Sequence, residues 1–314
     1  MRLVTFRYQD QVRLGAQFNR SGVSYILDLN QVEPEFPADL LLLLRAGPSA
    51  LKQARTVSDS AGEEQCIPEN AVTLLAPLPH PGKILCVGHN YKGHLGIGRE
   101  QLPEYPNIFC KTANAIIGPG QAIRIPKVTG QVDYEAELMV VIGKTAWRVS
   151  ETDAQEHIAG YTIFNDVSAR DYQKRTSQWL LGKSFDTFGP MGPALVTTDE
   201  IPDPHCLDLE LTVNGIPKQA ASTRDLIFSI PFLISYLSKV MTLEPGDVIA
   251  TGTPAKLPEA ANPQRFLQTG DLVRITIEKL GILENPVAAE ADTNQKENQP
   301  QYNGWVKTEC SEKK

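Results

Sequence analysis

Cysteine is scarce in this chain and is not arranged for disulfides or metal binding. The five cysteines, an odd number, are scattered, and no two stand in a CxxC spacing. Small secreted proteins with a disulfide framework, and cysteine-based zinc sites, show paired spacings instead. We therefore expect neither feature.

Long apolar runs and clusters of basic residues are also missing. The longest apolar run covers residues 40–44, far fewer than the roughly 20 residues that cross a bilayer. The net charge is −7, and no Lys/Arg cluster forms a surface for phosphates. The chain is thus expected to bind neither membranes nor nucleic acid. Its first residues, MRLVTFR, alternate like a strand and resemble neither a signal peptide nor a transit segment, so a cytoplasmic location is expected.

The length of 314 residues permits one large domain or two smaller ones. Short alternating segments predict three strands and two helices in residues 1–78, a small N-terminal β/α cap domain, and the proline-rich stretch 74–83 resembles a linker. Residues 79–289 read as a second, β-rich α+β domain. Residues 290–314 are rich in Gln, Asn, Lys and Glu, which is typical of a disordered tail.

Acidic side chains interrupt a strongly apolar strand at residues 133–144, DYEAELMVVIGK. Because side chains on a strand alternate, Glu135 and Glu137 should share a face, about 7 Å apart. Asp133 has the same parity. Carboxylates crowded on a buried strand are stabilised by protonation, by a basic partner or by a divalent cation. Oxygen ligands would suit Mg²⁺, Mn²⁺ or Ca²⁺. A solvated or ion-paired strand end would fit the pattern equally well.

A second strand, residues 158–166, ends in Asp166, and a helical turn follows it. A carboxylate there would complete a three-oxygen metal face if the two strands met. Arg170 and Gln173 lie three residues apart, so they share one face of the turn. They are candidates for gripping a substrate carboxylate, with the arginine bidentate.

Three further side chains are candidates for chemistry. His94 follows a buried strand and a glycine turn, and it is either a general base or a surface histidine. Lys183 lies in a segment rich in glycine and proline, and it is either exposed or a partner for an enolate or carboxylate oxygen. The turn after the strand near residue 249 contains Gly252 and Thr253, which offer donors to an anion.

Taken together, these segments resemble the fumarylacetoacetate hydrolase family over nearly the whole chain, to about residue 287. The motifs that carry the resemblance are GxNYxxH (88–94), DYExEL (133–138), NDVSARDxQ (165–173), QWLLGKSFDTFxPxGPAL (178–195) and PGDVIATGTP (245–254).

The resemblance implies that residues 79–289 form a catalytic domain with mixed β-sheets rolled around a metal site, usually in a homodimer. It implies Mg²⁺ held by Glu135, Glu137 and Asp166, and His94 as the general base. The substrate contacts that it implies are Arg170, Gln173, Lys183 and Thr253.

Two positions depart from the family pattern. Relatives that cleave C–C bonds have a glutamate three residues after the histidine of GxNYxxH, where this chain has Ile97. Glu100 could replace it only on an irregular lid, because six residues along a helix turn the side chain about 120° away. Ala255 and Lys256 stand where relatives tend to carry a glycine.

The expected function is a Mg²⁺-dependent enzyme that acts on a 2-oxo acid through a metal-bound enolate. Keto–enol tautomerisation of an oxaloacetate-type substrate needs only a proton shuttle, with His94 and Lys183 as catalytic residues, alone or with Glu100. The alternatives are C–C bond hydrolysis of an acylpyruvate, decarboxylation of oxaloacetate, and a binder of 2-oxo acids without turnover.

Overall fold

The computed structural model of the protein describes residues 1–62, 65–94, 102–261, 263 and 265–291. Strands dominate this part of the chain. They are β1 Arg2–Tyr8, β2 Gln11–Arg20, β3 Val23–Asp28, β4 Cys66–Pro68, β5 Thr73–Leu74, β6 Ile84–Gly88, β7 Asn107–Lys111, β8 Ile116–Ile117, β9 Ile123–Ile125, β10 Val132–Asp133, β11 Ala136–Ile142, β12 Ile158–Asn165, β13 Ser168–Ala169, β14 Gly189–Thr197, β15 Asp208–Val213, β16 Ile216–Ser222, β17 Val248–Ala250, β18 Leu272–Ile277 and β19 Gly281–Ala289.

The α-helices are few and mostly short. They are α1 Leu29–Val32, α2 Leu40–Arg45, α3 Pro48–Ser60, α4 Arg170–Gln173, α5 Leu180–Lys183, α6 Ile230–Ser238 and α7 Pro258–Ala261. Within the described ranges, no helix has the length and apolar character needed to cross a membrane. The expected β-rich α+β class with mixed sheets is confirmed.

Three sheets organise the strands. The largest runs in the order β4-β3-β2-β1-β14-β12-β11-β17-β6-β7, with β5 beside β1 and β8 beside β14. A five-stranded sheet runs β16-β15-β18-β19-β9, and β10 pairs with β13. Most pairs are antiparallel, but β17 and β6 are parallel, which makes the large sheet mixed.

The segments that carry the acidic motifs meet at one end of the central strands β12, β11 and β17 of the large sheet. The first residue of β11, Ala136, pairs with the last residue of β12, Asn165. On its other side, β11 pairs antiparallel with β17, with Met139 opposite Ala250. The start of β11 therefore lies beside the ends of β12 and β17, so segments far apart in sequence meet there.

The first strand of the chain belongs to the same large sheet. Leu3 of β1 pairs with Leu195 of β14. Leu3 and Leu14 are also fully buried in one apolar cluster with Met139 and Leu195. A cap domain over residues 1–78 remains a prediction, and its boundary has to accommodate this pairing.

Local sequence signals are matched by local structure in two clear cases. The hairpin predicted at Asn214-Gly215 forms between β15 and β16, with positive φ angles of 54° and 76° at the two turn residues. The helix predicted near residues 231–241 is α6, whose first turn is capped by the Ser229 side chain. The predicted disordered tail beyond residue 291 lies outside the described residues.

Candidate metal and 2-oxo acid site

The three predicted metal ligands meet where β11 begins and β12 ends. Glu137 lies in β11, Asp166 directly follows β12, and Glu135 lies just before β11. One carboxylate oxygen from each residue lies within 4.8 Å of the other two, and all three residues are buried. The backbone holds this approach, because Asp166 N donates to Glu135 O at 2.9 Å and Glu135 N donates to Asn165 Oδ1 at 3.0 Å.

Two buried lysines surround Asp166. Lys183 Nζ donates to Glu135 Oε2 at 2.6 Å and to Asp166 Oδ2 at 2.7 Å. Lys111, the last residue of β7, donates to Asp166 Oδ1 at 2.7 Å and to the Val167 carbonyl at 3.0 Å. Lys183 therefore bridges two of the predicted metal ligands, a contact that the predicted catalytic and substrate-binding roles did not include. Lys111 had no role in the predicted site.

A second set of ion pairs continues from Glu135. Arg170 Nη1 lies 2.6 Å from Glu135 Oε1, and its Nε donates to Asp133 Oδ2 at 2.8 Å. The same guanidinium donates to Gln173 Oε1 at 2.9 Å, which confirms that Arg170 and Gln173 share a face. Lys256 Nζ donates to the other oxygen of Asp133 at 2.6 Å. Asp133 thus joins two cations and is not part of the metal-ligand group.

The backbone of the turn after β17 contacts Glu137. Gly252 N donates to Glu137 Oε2 at 2.8 Å. Gly252 has a φ of +105°, and a Cβ added there would lie 2.9 Å from the Asn90 Cβ and 3.0 Å from the Val87 carbonyl oxygen. Glycine is required at this position, since a side chain would be strained and would push the N–H away from the carboxylate.

The carboxylates differ in their ionisation. Burial disfavours the charged form of Glu135, but the charges of Lys183 and Arg170 outweigh it and lower its pKa. Burial raises the pKa of Glu137 well above its usual value, and the nearby charges of Asp166 and Glu135 raise it further. No basic side chain within the described ranges forms a salt bridge with Glu137.

The neighbouring cations respond in opposite ways. Burial opposes the charge on Lys183, yet Asp166 and Glu135 together raise its pKa. Burial prevails at Lys111 and lowers its pKa, although Asp166 acts against it. Lys183 is therefore a firmly charged group next to the three carboxylates.

This donor set fits a hard divalent cation. Three carboxylates supply only oxygen, the ligand that such cations prefer. Glu137, which lacks a salt-bridge partner among the described residues, is stabilised by either a proton or a cation. The hydrogen bonds from Lys183 do not exclude an ion, because a carboxylate oxygen has a second lone pair for a metal. Glu135, Glu137 and Asp166 are thus the residues that would hold the ion.

A cavity of about 800 Å³ opens above these groups. Its charged lining includes Glu135, Glu137, Arg170, Lys183 and Lys256, and the hydroxyl-bearing Thr253 also lines it. Gln219 Nε2 donates to Thr253 Oγ1 at 2.8 Å, which fixes the position of that oxygen.

Imidazole and indole rings line another part of the cavity. His94 lies there, and its Nδ1 is buried with no hydrogen-bond partner among the described residues. The ring of His89, which had no predicted role, lies 5.6 Å from that of His94 and 5.3 Å from that of Trp179. Ile97 and Glu100 lie outside the described residues.

The sequence therefore indicated most of the residues that meet here but missed several. The missed residues are Lys111, His89 and Trp179. The ion pairs of Asp133 with Arg170 and Lys256 were also missed. Lys111 ends a short strand in NIFCK, which gives no sign of a buried ammonium. An unusual lysine after the TGTP turn was the only hint of Lys256.

Comparison with known proteins supports the resemblance drawn from the motifs. Residues 83–288 match the family described as fumarylacetoacetate (FAA) hydrolase C-terminal. The chain is 44% identical over 291 residues to oxaloacetate tautomerase fahd2, mitochondrial, from Xenopus laevis, covering 91% of this chain and 90% of that protein. It is 42% identical to the fumarylacetoacetate hydrolase domain-containing protein 2 homolog of Dictyostelium discoideum, covering 88% of this chain and 92% of that protein.

Solved structures show the same fold. A fumarylacetoacetate hydrolase from Exiguobacterium antarcticum matches with a TM-score of 0.79 and 34% identity, covering 92% of this chain and 100% of that one. Maleylpyruvate hydrolase from Sphingobium sp. SYK-6, in complex with manganese (II) ion and pyruvate, matches with a TM-score of 0.76 and 32% identity, covering 93% and 100%.

The expected cytoplasmic location is wrong. The relatives from Xenopus laevis, Rattus norvegicus, Homo sapiens and Bos taurus are named as mitochondrial proteins. The expectation rested only on the residue pattern of the segment MRLVTFR, and the names of these relatives overturn it.

The matches cover most of the chain, including the fold and the site. They show that this protein is an enzyme of the fumarylacetoacetate hydrolase family.

Proposed function

We propose that this protein catalyses keto–enol tautomerisation of a 2-oxo acid of the oxaloacetate type. The observation that carries the proposal is the buried group Glu135, Glu137 and Asp166, two of which, Glu135 and Glu137, line a cavity together with cationic side chains. This arrangement combines a site for a hard cation with charges that attract a small anion. The names of the relatives, oxaloacetate tautomerases, support the choice of substrate.

Arg170 and Gln173 hold the substrate carboxylate in this proposal. Their mutual hydrogen bond at 2.9 Å fixes the guanidinium beside the amide, so both present donors to the cavity. Nε and Nη1 of Arg170 already contact Asp133, Glu135 and Gln173, so we assign the remaining nitrogen, Nη2, to the carboxylate as the donor of a charge-assisted hydrogen bond. Thr253, whose oxygen is positioned by Gln219, contributes a further polar contact.

Enolisation places negative charge on the 2-oxo oxygen and moves a proton at C3. A divalent ion held by the three carboxylates would act as a Lewis acid toward the substrate oxygens. Lys183 lies between Glu135 and Asp166, so its ammonium stabilises negative charge that develops beside it. His94 lines the same cavity and moves the proton at C3, either alone or with Glu100.

Tautomerisation is favoured over hydrolysis by the residue chemistry. Both reactions share an enolate, but hydrolysis also requires a base that activates water. Ile97 occupies the position where relatives that cleave C–C bonds have a glutamate, and isoleucine cannot take up a proton. A proton shuttle needs only His94.

The metal, the assembly and the compartment are part of the same proposal. Mg²⁺ suits three carboxylate ligands, and Mn²⁺, present in the maleylpyruvate hydrolase complex, suits them as well. We also propose a homodimer, which the family resemblance implies, and a mitochondrial location, which the relatives' names support.

The test follows the absorbance of enol-oxaloacetate with Mg²⁺ and then with EDTA, while pyruvate release is measured from oxaloacetate and from an acylpyruvate. Enol loss that depends on Mg²⁺, without pyruvate, is expected. Glu135→Ala should reduce it to the uncatalysed rate, whereas Glu156→Ala, an exposed control, should not.

Three other results would replace the proposal. Pyruvate from the acylpyruvate would identify a hydrolase, and pyruvate from oxaloacetate a decarboxylase. Tight oxalate binding without turnover of any 2-oxo acid would identify a binder.

A further inference from the structure

Lys256 is a cation of the cavity that has no role in the function proposed above. It lies in the turn between β17 and α7, its side chain is 15% exposed, and it lines the cavity. Its Nζ lies 2.6 Å from Asp133 Oδ1 and 4.6 Å from the centre of the Tyr134 ring. The side chain is thus held in place rather than free in solvent.

Lys256 shares its carboxylate partner with another cation. Arg170 Nε donates to Asp133 Oδ2 at 2.8 Å, so two cations share one carboxylate. An ammonium has three N–H donors, and Asp133 is the only hydrogen-bond acceptor for Lys256 among the described residues. A partly buried ammonium with unused donors is stabilised by an anion that accepts hydrogen bonds from them.

The ion pairs define an order across the site. They run from Lys256 through Asp133, Arg170 and Glu135 to Lys183, with Asp166 beyond. The metal-ligand group lies at one end of this series, and Lys256 lies at the other. A substrate with anionic groups at both ends would fit this order.

We infer that Lys256 binds the second carboxylate of the substrate and so selects 2-oxo acids that are dicarboxylates. The inference rests on the proposed function, since the first carboxylate and the 2-oxo group are assigned to Arg170 and the metal-ligand group. Lys256 is a specificity residue in this account and takes no part in proton transfer.

The test compares two probes that differ only in the second carboxylate. The first is 2-oxo-3,3-dimethylsuccinate, and the second is 3,3-dimethyl-2-oxobutanoate, in which a methyl group replaces that carboxylate. Neither can be tautomerised, because C3 carries no hydrogen. The dicarboxylate is a β-oxo acid that can lose CO2, so calorimetry with Mg²⁺ uses fresh probe, and the absence of 3-methyl-2-oxobutanoate after each titration shows that binding alone was measured. The wild-type protein should bind the dicarboxylate about tenfold tighter or more, as expected for a charge-assisted hydrogen bond.

Variants then assign the preference to Lys256. Lys256→Gln should weaken only the dicarboxylate and remove most of the preference, and Lys256→Arg should retain much of it. Lys144→Gln, which removes an exposed lysine paired with Glu156 at 3.5 Å, should change neither affinity.

Equal affinities in the wild-type protein, or equal loss for both probes in Lys256→Gln, would overturn the inference. If the preference is found but enol-oxaloacetate is not turned over, the proposed function fails and this inference stands.

Discussion

Single side chains at this site are stabilised by partners of opposite charge. Four carboxylates, Asp133, Glu135, Glu137 and Asp166, lie among four cations, Lys111, Arg170, Lys183 and Lys256. Their charges cancel, so a divalent cation and a doubly charged anion can bind together without leaving a net charge buried. This balance makes each buried partner important to stability as well as to binding.

Lys111 offers a clear test at this scale. Lys111→Met removes both the ion pair with Asp166 and the hydrogen bond to the Val167 carbonyl, and both partners are fully buried. Asp166 keeps its ion pair with Lys183, but one of its oxygens and the Val167 carbonyl lose a buried donor, so we expect a loss of about 1–3 kcal/mol in the free energy of unfolding. Urea unfolding followed by circular dichroism measures it.

The matched control is Lys144→Met. It breaks an ion pair with Glu156 whose two side chains are half or more exposed, and such pairs contribute roughly 0–1 kcal/mol. Equal losses in the two variants would show that the Lys111 pair is not important to stability.

Among the elements, the two short helices α4 and α5 carry three of the residues that we propose to contact the substrate. Arg170 and Gln173 lie on α4, and Lys183 ends α5. The helices touch at Gly182, where an added Cβ would lie 2.5 Å from the Gln173 nitrogen and 2.7 Å from its Cα. Since both atoms belong to the backbone, the helices could accept a side chain only by moving apart.

We therefore expect Gly182→Ala to separate α4 from α5 and to displace Lys183 from Glu135. The cost should be about 1–3 kcal/mol in unfolding free energy, as for other overpacked sites, with a loss of enol-oxaloacetate turnover. Thermal unfolding and the absorbance assay measure the two effects. Gly130→Ala is the control, because no atom lies within 4 Å of a Cβ added there, and a variant at Gly182 that behaved like it would refute this packing.

Local elements could be predicted from the sequence, while long-range ion pairs could not. The Asn214-Gly215 turn and helix α6 depend on neighbouring residues, and the structure has both. The predicted strand over residues 133–144 is interrupted between Asp133 and Ala136. Glu135 reaches Asp166 through hydrogen bonds with the segment around Asn165, and not through strand alternation alone.

Partners that are far apart in sequence explain the residues that were missed. Lys111 is 55 residues from Asp166, and Lys256 is 123 residues from Asp133. Nothing near either lysine signals burial beside a carboxylate. The family motifs did indicate the acidic group and Arg170, because they record which distant segments meet.

For the molecule as a whole, the N-terminal strands complete the sheet that contains the site. Because β1 pairs with β14 and Leu3 packs in one cluster with Met139, residues 1–78 cover both an edge and an apolar face. A chain that begins at residue 79 should expose both, and unpaired edges and apolar faces favour aggregation.

We expect that truncated chain to be insoluble or to lose its cooperative thermal unfolding. Circular dichroism and light scattering on the full chain and on the truncated chain measure this. A soluble, cooperatively folded product would instead support an independent cap domain.

The most direct test of the central claim is a calorimetric titration with Mn²⁺ of the metal-free full-length protein and of Glu137→Gln. The substituted side chain is isosteric but uncharged, so the fold should persist while one of three carboxylate ligands is lost. The account predicts one Mn²⁺ per chain for the wild-type protein and a loss of about tenfold or more in affinity for the variant. Equal affinity in the two proteins, or no binding to the wild-type protein, would contradict it.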